Sequence, residues 1–150
     1  MAQSQGHRPA TPVSGAHVLQ GSTVRRWIAL AEIVADQTRD LVDVLNVFPV
    51  PDADTGSNMA HTMESALAEA DKLFAASEES GSEVPSVHNV AEALSSGSVR
   101  GARGNSGVVL TQVLRGIAQV AAHGNIDGRA VRDSLAIALD MVDRAITDPV

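Results

Sequence analysis

Ser22–Asn46, STVRRWIALAEIVADQTRDLVDVLN, decides the fold class of this chain. Val24, Trp27, Ile28, Ala31, Val34, Leu41 and Leu45 recur at spacings of three and four with charges between them, the period of a helix that buries one face. A helix is predicted over this stretch, with Ser22 or Thr23 as N-cap. Phe48-Pro49-Val50-Pro51 must end it, because proline lacks an N–H and drives the preceding residue out of the α region. The same period returns downstream. Met59, Met63, Ala66, Leu67, Ala70 and Phe74 predict a second helix from Thr55–Ser57 to about Ala76, followed by a polar loop from Ser77 to Pro85. A third helix is expected from Ser86 or Val87 to near Gly97. A fourth should run from Gly104–Ser106 to about His123, with Gly124 as C-cap. Asp127 caps a fifth, whose stripe is Val131, Leu135, Ala138, Leu139, Val142 and Ile146. The methionines and Trp27 read as core. No segment alternates with β-branched enrichment, so the expected class is all-α, five helices in an antiparallel arrangement.

Composition narrows the function. The length of 150 residues suits one domain, and 44% apolar with 19% charged residues describes a globular chain. A net charge of −7 argues against nonspecific binding to nucleic acid or anionic membrane, which both need a basic face. The absence of cysteine excludes disulfides, thiolate zinc sites and cysteine nucleophiles. Trp27, Phe48 and Phe74 are too few for a base-stacking platform. No run approaches the ~18 apolar residues of a membrane span. The first 17 residues, rich in Gln, Ser, Pro and Gly, lack the apolar core of a signal peptide; they are expected to form a disordered tail, and the protein to be cytoplasmic.

Two stretches break the helical pattern. The first, Asn46 to Asn58, sets Asp52 and Asp54 two residues apart, then Thr55, Gly56, Ser57 and Asn58 where a helix begins. Clustered oxygens suit a hard cation such as Mg²⁺, and helix N-terminal N–H groups suit phosphate. Equally, the two aspartates could simply cap the second helix and favour its dipole. An EF-hand is excluded, because the positions that need Gly and a bidentate Glu hold Ser57 and Met63. The second stretch, Gly97 to Gly107, carries Gly97, Gly101, Gly104 and Gly107 and opens the fourth helix. Such glycines let backbone amides approach a phosphate, or let two helices pack closely. It is no Walker A loop, since the only lysine, Lys72, lies far away. It follows a helix rather than a strand, which excludes the dinucleotide fingerprint, and Val108 breaks G-x-S-x-G. Together, metal oxygens and an anion cradle point to a nucleotide with Mg²⁺, and so to phosphoryl transfer.

LNVFPVPDADTGSNM (Leu45–Met59) and GARGNSGVVLTQVLRG (Gly101–Gly116) closely resemble signatures of the nucleotide-binding domain of fatty acid kinase, the FakA type. That domain is related to the DhaL domain, the ADP-binding subunit of dihydroxyacetone kinase. The resemblance covers residues 18–150. It implies an all-α barrel of eight antiparallel helices with ATP or ADP and two Mg²⁺ ions held by loops at one end. On this resemblance Asp52 and Asp54 match metal-coordinating, catalytic aspartates. Asn46 is the nearest equivalent of a third, upstream aspartate found in the dihydroxyacetone kinase branch. Thr55, Gly56, Ser57 and Asn58 match the nucleotide-contacting turn, and Gly104, Asn105 and Ser106 the second phosphate-side contact. The phosphoryl acceptor implied is a fatty acid carboxylate presented by a FakB-like partner; the alternatives are dihydroxyacetone kinase-like activity or a nucleotide-binding module without turnover.

The chain departs from the family in two ways. Ala53 stands where the family usually has Gly, which costs on the order of 1 kcal/mol if φ must be positive there. The family also continues past the equivalent of Pro149-Val150 with further helices and domains, so a partial chain is expected. Arg100 and Arg103 flank the glycine stretch and could reach phosphate or merely solvate the loop. His61 reads as a surface residue, since Mg²⁺ prefers oxygen, and its spacing to Glu64 is the reverse of a bundle metal pair.

Overall fold

The computed structural model describes residues 19–47, 51–124 and 126–147. The expected tail, Phe48 to Val50 and Pro149 lie outside the described residues. Five helices follow one another, α1 (Gly21–Leu45), α2 (Thr55–Ser80), α3 (Val87–Gly101), α4 (Gly104–Ala121) and α5 (Gly128–Thr147), and no strand occurs among the described residues. The all-α expectation holds.

Successive helices run antiparallel. Arg25 near the start of α1 pairs with Asp71 of α2 at 2.7 Å, and its guanidinium lies 5.2 Å from the centre of the Phe74 ring. Asp43 near the end of α1 meets the start of α2. Thr111 of α4 donates to the Ser98 carbonyl of α3 at 3.2 Å. The core lies where α1 to α4 meet: Val24, Met63, Ala66, Ala70, Val90, Leu94 and Leu114 form one buried cluster. Ala66 and Ala70, fully buried within it, let the neighbours of α2 approach closely. Helix α5 packs on α4 alone among the described elements. There a Cβ on Gly116 would come within 2.5 Å of the Ser134 carbonyl.

Several boundaries differ from expectation. Helix α1 starts at Gly21, with Gln20 as N-cap and no side-chain cap bond, so neither Ser22 nor Thr23 caps it. Helix α2 continues through Ser77 to Ser80, where a polar loop is expected. Gly81 ends it at φ +61°, and the Ser82 N–H returns to the Ser77 carbonyl at 3.0 Å, a Schellman closure. Helix α3 runs a full turn past Gly97, because Gly97 and Gly101 face α2 where side chains would collide with Ser65. Helix α4 ends at Ala121 with Ala122 as C-cap, and Gly124 lies beyond it at φ +130°. Asp127 caps α5 as expected, accepting from the Arg129 and Ala130 N–H groups at 2.9 and 2.8 Å.

The expected stripes of α1 and α5 are largely not core. Trp27 is 57% exposed, and Val34, Leu41 and Leu45 are also exposed on α1. On α5, Val131, Leu135 and Leu139 are exposed, while Ser134 and Ala138 are buried. Periodicity marks an apolar face correctly, but packing against the described helices decides which part of it is covered. Of the methionines, Met63 is buried and Met59 is exposed.

Candidate functional site

The starts of α2 and α4 meet at one end of the molecule. Helix α3 returns between them, so both N-termini face the same way. Ser106 Oγ donates to the Thr55 carbonyl at 3.4 Å. Gly104, at φ +59°, lies against Asn58 so closely that a Cβ would collide with the Asn58 amide. The left-handed backbone favours glycine there, and a side chain would in addition have to displace the Asn58 amide. Gly107 sits against Thr62, whose Oγ1 would be 2.6 Å from an added Cβ. Thr55, Asn58, Gly104 and Ser106 thus lie side by side, with Ser57 partly covered and Asn105 exposed beside them, while Gly56 is buried against α1.

The glycine stretch divides by role. Gly97 and Gly101 lie inside α3 and serve close packing on α2. Only Ala102 and Arg103 separate α3 from α4. Arg100 pairs with Glu69 of α2 at 2.6 Å, while Arg103 is exposed at the N-cap position of α4. Lys72 and Arg100 together hold the Glu69 carboxyl below its ordinary range, the bond from Lys72 weighing most. His61 makes a 3.5 Å contact with Glu64.

The aspartate loop is exposed at Asp52 and partly covered at Asp54. Asn46 Nδ2 donates to Asp52 Oδ1 at 2.7 Å, which brings the Asn46 amide beside the carboxylate it was expected to accompany. Between the aspartates, Ala53 adopts φ +52°, so the backbone does require the conformation that glycine takes freely. Asp54 occupies the N-cap position of α2 but makes no side-chain cap bond. The simple capping role is therefore not filled by Asp54.

It is filled by Asp43, a residue the sequence did not single out. Asp43 Oδ1 accepts from the Gly56 N–H at 2.6 Å and the Ser57 N–H at 3.1 Å, and Oδ2 accepts from Ser57 Oγ at 2.7 Å. The Ser57 hydroxyl chiefly, with the two amides and Arg39, holds the Asp43 carboxyl below the ordinary aspartate range, against an opposing effect of burial. One signal was available: an acid in the last turn of a helix opposes the dipole, so Asp43 needs a partner outside α1.

The donor set suits Mg²⁺ in one particular mode. No group of three or more His, Asp or Glu side chains is placed to hold a metal among the described residues. Two carboxylates and an amide oxygen instead match the habit of Mg²⁺, which is held by one or two carboxylates and completed by water and phosphate oxygens. A separate cavity of about 570 Å³ lies at the opposite end, lined mainly by apolar groups such as Leu19, Pro85, Val87 and Ala121 and by no carboxylate. Its one side chain of the metal-binding kind is His88, which has no carboxylate beside it in the lining.

Residues 49–148 match the model of the DAK2 domain. The chain belongs to the DAK2, or DhaL-type, domain family. This DAK2 chain is 35% identical to Protein YloV of Bacillus subtilis over 133 residues, 88% of this chain and 22% of that protein. It is equally 35% identical, over 112 residues, to an uncharacterized protein of Staphylococcus aureus strain USA300, covering 74% of this chain and 19% of the relative. The chain therefore spans about a fifth of the length of these relatives. DAK2 domains are kinase nucleotide-binding domains, and the match covers α2 to α5 with the aspartate loop. No helix among the described residues is long and apolar enough to cross a membrane.

Proposed function

We propose that this DAK2 domain binds ATP or ADP with Mg²⁺ between the α2 and α4 turns and serves as the nucleotide site of a phosphotransferase. The observation that supports this most is the contact of Gly104 with Asn58 and of Ser106 with Thr55, which joins the two turns into one surface beside Asp52 and Asp54. In this reading Asp52 and Asp54, with Asn46, hold Mg²⁺ through oxygen atoms. Bound Mg²⁺ offsets charge on the phosphates. Gly104, Asn105 and Ser106 face the phosphates at the start of α4, where N–H groups and the helix dipole favour an anion. Thr55 to Asn58 shape the opposite wall. The protein's contribution to such a reaction is positioning and charge compensation rather than covalent chemistry.

The resemblance to fatty acid kinase supports a fatty acid carboxylate as acceptor, presented by a FakB-like protein. The NVFPVPD wording of the aspartate motif favours that branch over dihydroxyacetone kinase-like activity. Thermal unfolding with ADP or ATP, in Mg²⁺ and in chelator, tests the nucleotide site. Ligand at 100 times its Kd adds about 2.7 kcal/mol, a rise of roughly 5–10 °C for a domain of this size. The rise is expected only when nucleotide and Mg²⁺ are both present. Asp52→Asn and Asp54→Asn are each expected to abolish it while leaving the helical circular dichroism unchanged. Mg²⁺-dependent stabilisation retained in both variants would refute their role as ligands. A cooperative transition that no nucleotide shifts would instead favour an interaction module without turnover.

A further inference from the structure

We propose that Asp43 is a positioning residue of the Mg²⁺–nucleotide site, an inference that rests on the function proposed above. Three donors converge on this one carboxylate: the Gly56 N–H, the Ser57 N–H and the Ser57 hydroxyl. Bonds to an ionised acceptor are the stronger kind, and three of them fix both the direction and the rotation of the first turn of α2. Three residues along α1, Asn46 Nδ2 holds Asp52 Oδ1. The last turn of α1 therefore grips the loop on both sides of Asp54, at Asp52 and at Gly56–Ser57.

The segment between these grips carries the strained residue. A non-glycine residue at positive φ persists where its surroundings over-determine the backbone, and a loop fastened at both ends meets that condition at Ala53. Gly56 makes the grip possible. A Cβ there would collide with the Arg39 carbonyl, so the two helices approach backbone to backbone one turn before Asp43. Asp43 is set against the dipole of its own helix and with the dipole of α2. Its placement is thus explained by what it does for the α2 turn, which sets where Asp52 and Asp54 present their oxygens.

Calorimetric binding of ADP, at fixed and at varied Mg²⁺, to the full chain and to Asp43→Asn and Asp43→Ala tests this. Loss of a partner that orients metal ligands typically weakens metal binding about 10- to 100-fold, and that increase in the apparent Kd for Mg²⁺ is expected in both variants. In EDTA no ADP binding is expected of any of the three proteins. Formate fits the space left by the Asp43→Ala carboxylate and is expected to restore much of the Mg²⁺ affinity, with chloride as the ineffective control. A role confined to stability would give neither the metal dependence nor the rescue. Asp43→Asn keeps the shape and one acceptor, so it serves if Asp43→Ala does not melt cooperatively. Wild-type chain that shows no Mg²⁺-dependent ADP binding would overturn the proposed function and this inference with it. Wild-type binding with folded variants within about twofold of it would overturn this inference alone. So would a loss of ADP affinity that is the same at every Mg²⁺ concentration, saturating Mg²⁺ included.

Discussion

Ala53 is the residue at which the backbone and the side chain disagree. At φ +52° a Cβ crowds the following carbonyl, at a cost of about 1–2 kcal/mol relative to glycine. Glycine would also loosen the unfolded chain by roughly 0.4–1 kcal/mol, which offsets part of the gain. Ala53→Gly is therefore expected to stabilise by about 0.5–1 kcal/mol, a rise of roughly 2–4 °C in a thermal melt. A lower melting temperature would mean that the loop tolerates alanine without strain. The sequence made the aspartates and this alanine legible, because all three sit inside one uninterrupted motif. It did not make Asp43 legible as a partner, because its contacts lie 13 and 14 residues away across a proline-rich break. Such a pairing depends on how two helices cross, which local spacing does not encode.

Helix starts show the same physics in two forms. Helix α5 takes its cap from its own Asp127, while α2 takes a carboxylate from α1. The Ala130 amide chiefly holds the Asp127 carboxyl below its ordinary range, as the Ser57 hydroxyl does for Asp43. A carboxyl whose folded pKa is depressed stabilises the fold in full above its unfolded value and loses that contribution as pH falls through the folded one. Thermal stability is thus expected to hold steady down to about pH 4 and to decline below it. Asp127→Asn should flatten that decline, and an unchanged slope would refute the assignment. Helix existence and order were legible throughout from period and breakers. The ends were less so. The expected end of α3 near Gly97 falls a turn short, because Gly97 and Gly101 take the close-packing role, and contact with α2 outweighs their low helix propensity.

Across the whole molecule the core is one-sided. Leu94 is 2% exposed within the cluster joining α1 to α4, whereas Leu139 on α5 is 72% exposed. Leu94→Ala is expected to cost about 2–5 kcal/mol, and Leu139→Asn no more than about 0.5 kcal/mol. Denaturant titration of both variants checks this, and a large loss in Leu139→Asn would show that its face is covered in solution. The apolar stripes of α1 and α5 were legible as stripes, but which side chains are buried depends on neighbours that periodicity does not name. The bond from Ser106 to Thr55 has a kinetic consequence. Its ends are 51 residues apart in sequence, and a ligand seated across the same two turns would act as a reversible cross-link closing that span of chain. Opening either turn would then require the ligand to let go first, so bound nucleotide would lengthen the lifetime of the folded state by slowing its unfolding rate.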